Sequence, residues 1–282
     1  MASFNLSITP NQTELVAKPG AVFIQAYSVT NKSDATIFLT SSLKPWLPTG
    51  LNGAVDYLHA VSNPYLSFSL QNADLALNQS FYLKSGESKQ LVLKIKLDSS
   101  APLGDSYYTF FISQNTNNQI GGLANLSSFS GQIGSHLLIS TSDVANPAVS
   151  ASITNARIAP RFKDLFFTPL TFQADINNES GFYFATPLKI SLKKGNTTIN
   201  EAVLPAQNVL AHYSRHFQTQ LNPPFWPGAY TATYSLDPGL NTPPVTVSFY
   251  IFPYSLVIII IFITLVALLL TRLLKAKNNH PT

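Results

Sequence analysis

Two histidines, His212 and His216, stand four residues apart, the spacing that on a helix would put two imidazoles on one face as metal ligands. The intervening residues read instead as a loop entering a strand, and no acidic residue or third histidine lies close in sequence. The expectation is two surface histidines and no metal centre. Cysteine is absent from the 282 residues, which excludes disulfides, thiolate metal sites and cysteine nucleophiles. There is no Gly-x-Ser-x-Gly turn, and the 13 acidic residues are scattered without a paired motif, so nothing points to hydrolysis. Gly121-Gly122 and Gly131-x-x-Gly134 are not followed by a helix start, so the stretch 115–134 reads as a flexible hairpin tip and not a phosphate cradle. The chain is expected to be non-enzymatic, with no cofactor and no bound metal.

The chemistry that remains is recognition. Segment 43–65, LKPWLPTGLNGAVDYLHAVSNPY, is longer than ordinary sandwich connections and carries Trp46, Tyr57 and Tyr65 among three prolines. Aromatic side chains offer flat faces to sugar rings or protein surfaces at low entropic cost. These three residues are the expected partner-binding set. A second reading has Trp46 closing the open end of a sandwich, and the sequence leaves both open. Seven Asn-x-Ser/Thr sequons, at Asn5, Asn11, Asn31, Asn78, Asn125, Asn178 and Asn196, match what chance gives in so Asn-, Ser- and Thr-rich a chain.

The elements that must position these residues are strands. In residues 91–97, Leu91, Leu93, Ile95 and Leu97 alternate with Lys94 and Lys96, as in a half-buried antiparallel strand. Similar patterns recur at intervals up to Asn146-Pro147 and then begin again, about seven per set, which predicts two tandem immunoglobulin-like β-sandwich domains, 1–145 and 150–252. The sets echo each other. Residues 23–33 and 172–180 each end a strand pattern in Asn-x-Ser, and a Pro/Gly turn precedes an aromatic strand at 101–113 and at 226–236.

Residues 254–274 carry no charge before Arg272, and at ~1.5 Å per residue they match a bilayer core, predicting a single transmembrane α-helix. Tyr250, Phe252 and Tyr254 form an aromatic belt on one flank, while Arg272, Lys275 and Lys277 follow on the other. By the positive-inside rule, the tail 275–282 is cytoplasmic and the sandwiches extracytoplasmic. Only Phe252 and Pro253 separate the last strand from the helix, so the second domain is expected against the membrane surface. The chain opens on Met1-Ala2-Ser3 and enters a strand pattern with no basic start or apolar run, and the favoured reading is a signal segment upstream. The three tail cations account for most of the net charge of +4, leaving +1 for the rest, which excludes a nucleic-acid footprint.

The residues Ser7-Ile-Thr-Pro-Asn-Gln12, Lys18-Pro-Gly20 and Val29-Thr-Asn31-Lys-Ser33, together with the two Pro/Gly-Tyr turns, resemble the WxL-interacting proteins of Gram-positive bacterial surfaces. The resemblance extends to whole-chain layout. It implies a peptidoglycan-binding first domain, a second immunoglobulin-like domain linked to host binding, one C-terminal helix and a short basic tail. Segment 43–65 departs from that family's pattern. The function expected is that of a single-pass cell-surface protein, binding a cell-wall polymer such as peptidoglycan or another surface protein. The alternative is a chaperone-like or assembly subunit of a membrane complex, engaging client strands along a sheet edge.

Overall fold

Alternation of apolar and polar side chains sets the strands in the computed structural model, which describes residues 5–114, 131–164, 169–222 and 226–278. Two compact units emerge, each an immunoglobulin-like β-sandwich, followed by one apolar helix. The first unit comprises Met1–Val149 with Asn178–Phe184 and Leu210–Tyr213; the second comprises Ser150–Asn177, Ala185–Val209 and Ser214–Thr282.

The first unit holds β1 (Leu6–Thr9), β2 (Gln12–Ala17), β3 (Val22–Asn31), β4 (Ile37–Pro45), β5 (Leu47–Thr49), β6 (Ala54–Asp56), β7 (Leu66–Leu70), β8 (Ser80–Leu83), β9 (Ser88–Leu97), β10 (Gly104–Gln114) and β11 (Gln132–Thr141). One sheet runs β1-β3-β9-β7 and the other β2-β11-β10-β4-β8. Leu91, Leu93, Ile95 and Leu97 of β9 are fully buried, as their period of two requires, and pack in one cluster with Tyr27, Leu39, Phe110, Leu137 and Ile139. Tyr27 and Phe110 meet with ring centroids 4.8 Å apart.

The second unit holds β12 (Ala151–Ala159), β13 (Phe162–Lys163), β14 (Leu170–Asn178), β15 (Phe184–Lys194), β16 (Thr197–Val209), β17 (Ser214–Leu221), β18 (Gly228–Ser235) and β19 (Val245–Ile251). Its sheets run β12-β14-β17 and β13-β19-β18-β15-β16. Phe172, Phe217, Tyr234 and Phe249 are the largest fully buried side chains among its described residues.

The two units repeat one wiring plan. In the first, the opening strand β1 pairs antiparallel with β3, and the chain then crosses to the other sheet, where β2 runs parallel to the last strand, β11. In the second, β12 lies beside β14 and β13 runs parallel to the last strand, β19. The Asn-x-Ser echo is a shared turn. Asn31 Oδ1 accepts from Ser33 N (2.9 Å) and Ser33 Oγ (2.6 Å), while Asn31 Nδ2 donates to Ala35 O. Asn178 Oδ1 accepts from Ser180 N (2.8 Å) and Ser180 Oγ (2.7 Å), while Asn178 Nδ2 donates to Phe182 O. An asparagine side chain bonding the backbone two residues on stands in for a turn's own hydrogen bond, which is why both strands end there. Both amides are buried, so these two sequons mark turns and not glycan sites.

The helix α1 spans Tyr254–Asn278, and its Tyr254–Leu273 stretch is long and apolar enough to cross a membrane. Thr264 Oγ1 donates to Ile260 O and Thr271 Oγ1 to Leu268 O, so both threonine hydroxyls of the apolar stretch are satisfied within the helix. The buried Asp164 receives the Ser255 N–H at 3.0 Å, satisfying one of the donors that a helix start leaves open.

Candidate binding site

Segment 43–65 is less irregular than the sequence suggested. The strand β4 continues to Pro45, and β5 and β6 form a small hairpin of their own, Leu47 opposite Asp56 and Thr49 opposite Ala54. Trp46 follows β4 with its backbone N–H bonded to Tyr107 O at 3.0 Å.

The register of β4, β10 and β11 lines up side chains on the outer face of this sheet. Tyr107 pairs with Leu138, Thr109 with His136 and Lys44, and Phe111 with Gly134 and Ser42. Alternate residues of the same strands, Tyr108, Phe110 and Ile112, enter the main core. Trp46 stacks on Tyr107 with centroids 4.9 Å apart and meets His136 edge-on at 5.3 Å. Tyr57, just beyond β6, tilts against Phe111 at 5.3 Å. Its hydroxyl lies 3.0 Å from Thr109 Oγ1, which is itself 3.0 Å from His136 Nδ1. Burial lowers the His136 pKa, favouring the neutral ring. A small apolar cluster of Trp46, Tyr107, Leu138, Val55 and Tyr57 results, on the opposite face of the sheet from the main core.

Gly134 shows why this face closes so tightly. A Cβ there would fall 2.5 Å from Thr109 Cγ2 and 3.0 Å from the Phe111 ring, so no side chain fits without moving them. The sequence placed Gly134 in a hairpin tip; it sits inside β11 opposite Phe111, and the missing side chain is what leaves room for that ring beside the strand. Residues 115–130 of the expected tip lie outside the described residues.

The three residues expected to meet a partner separate. Trp46 is 5% exposed and Tyr57 is half-buried, both in the cluster above. Tyr65 lies elsewhere, 37% exposed, its N–H bonded to Asn63 Oδ1 and its carbonyl to Asp98 N. What the segment presents to solvent is aliphatic: Leu58 is 90% exposed and Val61 87%, with Leu47 and Leu51 also exposed. Residues 58–62 are tied at both ends. Asp56 Oδ1 accepts from Leu58 N (2.7 Å) and His59 N (3.3 Å), and Asp56 Oδ2 meets His59 Nδ1 at 2.5 Å. These bonds, the His59 side chain first, hold the Asp56 carboxyl below its usual pKa. On the other side Asn63 N donates to Tyr108 Oη (2.7 Å) and Asn63 Nδ2 to Ser106 Oγ (2.9 Å). Sequence reasoning passed over Leu58 and Val61 because two aliphatic residues in an aperiodic stretch carry no pattern; their position between an Asp turn and Asn63-Pro64 was the available signal.

The histidine pair is divided as well. His212 occupies a turn with φ +61°, and His216 in β17 meets Asp175 of β14 with Nδ1–Oδ1 at 2.6 Å. Among the described residues no group of three or more His, Cys, Asp or Glu could hold a metal ion.

No protein-family model matches the chain, and no curated protein matches it by sequence. Solved structures are similar at low identity. The class 5 fimbriae chaperone CfaA is 14% identical over 88% of this chain and 100% of its own, with a TM-score of 0.45. The CsuC–CsuE chaperone–tip subunit pre-assembly complex of Acinetobacter baumannii Csu pili gives 11% identity over 88% of this chain and 99% of the matched one, TM-score 0.40. The E. coli chaperone DraB gives 14% over 88% and 95%, TM-score 0.38. At these identities and scores the likeness says nothing of what this chain binds.

Proposed function

We propose that this is a non-enzymatic, single-pass membrane protein that engages another protein through residues 58–61 of its first sandwich, as an assembly or chaperone-like subunit. The observation that carries the reading is the near-complete exposure of Leu58 and Val61 on a stretch pinned at both ends by Asp56 and Asn63. An ordered stretch offering bare aliphatic side chains gains free energy when a partner covers them. Sugar rings are met by aromatic faces and hydrogen-bonding groups, and the aromatic residues of this segment face inward or lie apart. A protein partner therefore fits better than the cell-wall polymer that the family resemblance implies. The absence of Lys and Arg between 217 and 271, with cations gathered after the helix, supports sandwiches outside the membrane and a cytoplasmic tail.

Full burial of Leu58 and Val61 is worth about 1.5–3 kcal/mol each. The double variant Leu58→Asp, Val61→Asp should therefore bind its partner roughly 100-fold or more weakly. The test is affinity capture of the full-length protein from detergent-solubilised native membranes, with isolated cell wall as a parallel bait. We expect a protein recovered by the wild type and lost by the variant, with equal melting temperatures. Equal recovery by both, or capture on cell wall by both, overturns the reading.

A further inference from the structure

The end of the second unit from which α1 emerges carries a surface of its own. Only two residues separate β19 from α1, so whatever surrounds Ile251 lies within a few residues of the membrane-spanning stretch. In the β18–β19 ladder Gly228 pairs with Ile251, which brings the start of β18, and Trp226 two residues before it, to that end. Trp226 is 68% exposed, and Tyr250, Phe252 and Tyr254 are exposed as well. An almost wholly apolar pocket opens here, lined by Pro227, Gly228, Tyr250, Phe252 and Tyr254. The Tyr230 hydroxyl bonds Trp226 O, and Lys194 Nζ bonds Pro227 O at 3.3 Å, so the carbonyls of the tryptophan and of the residue after it are both held.

Basic residues lie toward the same end. Lys194 holds its ammonium 5.4 Å over the Tyr230 ring, and Lys193 precedes it opposite Thr231 in mid-β18, with its charge also felt by Glu201. The backbone of Arg161 is beside Tyr250, whose N–H its carbonyl accepts. Tryptophan and tyrosine favour the boundary between headgroups and acyl chains because one side of the ring is apolar and the other polar. Lysine and arginine beside them favour anionic headgroups.

We infer that this end of the second unit is a lipid-docking surface: Trp226, Tyr250, Phe252 and Tyr254 seat in the headgroup–acyl boundary, and Arg161, Lys193 and Lys194 bind anionic phospholipid headgroups. The inference rests on α1 spanning the bilayer, and it adds a contact between the folded unit and the lipid that a tether alone does not require.

The chain's two tryptophans make the test selective, since Trp46 is buried in the first unit and Trp226 is exposed in the second. Full-length protein is reconstituted into phosphatidylcholine vesicles, with or without phosphatidylglycerol, whose acyl chains are brominated at shallow positions. Flotation scores insertion separately. The expected result is quenching of wild-type emission that is stronger with phosphatidylglycerol, and loss of that quenching in Trp226→Phe, which leaves Trp46 alone. In Arg161→Gln, Lys193→Gln, Lys194→Gln the extra quenching by phosphatidylglycerol should vanish. Inserted protein with unquenched emission, or equal quenching in wild type and Trp226→Phe, overturns lipid docking and leaves the anchor standing. Protein that fails to float overturns the anchor, and the docking surface with it.

Discussion

Trp46→Ala should lower the stability of the first unit by about 3–5 kcal/mol, the cost of truncating a buried aromatic residue. The indole is 5% exposed, stacked 4.9 Å from Tyr107 and edge-on to His136, and it sits at the root of the β5–β6 hairpin. Its loss opens a cavity beneath Leu138 and Val55 and removes the packing that holds the hairpin to the sheet. At about 2–4 °C per kcal/mol for a domain of this size, the melting temperature should fall by roughly 10 °C. The buried Trp46 Nε1 has no hydrogen-bond partner among the described residues, so Trp46→Phe discards an unpaired donor while keeping a ring and should cost clearly less. Thermal unfolding of the full-length protein, followed by near-ultraviolet circular dichroism, checks both. An unchanged melt for Trp46→Ala would mean that the residue faces a partner.

Asn31→Ala should cost about 3 kcal/mol or more, because one buried amide serves three strand ends. Asn31 is wholly buried; its Nδ2 lies within 3.0 Å of the Ala35, Leu83 and Lys84 carbonyls, and its Oδ1 takes both donors of Ser33. Alanine leaves those carbonyls and the Ser33 donors to find water in a site closed to it. Asn31→Asp should be worse still, since a carboxylate would face three carbonyl oxygens in place of the donor they need. Denaturant midpoints therefore rank wild type above Asn31→Ala and Asn31→Asp last. An aspartate variant as stable as the alanine variant would contradict the assignment of Nδ2 to the carbonyls.

Both residues show what could be read in the sequence and what could not. The Asn-x-Ser turns at Asn31 and Asn178 were visible as a repeat because their geometry is local, spanning a few residues. The strand ending at Leu97 and the helix from Tyr254 were visible for the same reason, one through a period of two and the other through an unbroken apolar run. The stack of Trp46 on Tyr107 beside Leu138 depends on the registers of β4, β10 and β11, three strands distant in sequence, and no local pattern encodes it. The β5–β6 hairpin escaped notice because its strands have three residues each and one contains Pro48. Gly134 looked like a turn residue, whereas its role is fixed by the Phe111 ring across the ladder. The exposure of Leu58 and Val61 follows from the anchoring of Tyr57 and Asn63 on either side, and so depends on the same long-range registers.

The central claim is that residues 58–61 meet another polypeptide. The most direct measurement places a photo-crosslinking amino acid at Leu58 in the full-length protein in its native membrane, with Thr198, exposed on β16 of the second unit, as the control position. Illumination should yield a discrete adduct from position 58 that protease degrades and mass spectrometry resolves as this chain joined to one other protein, with no such adduct from position 198. No adduct at position 58, or one that resists protease and yields to cell-wall hydrolase, would contradict the account.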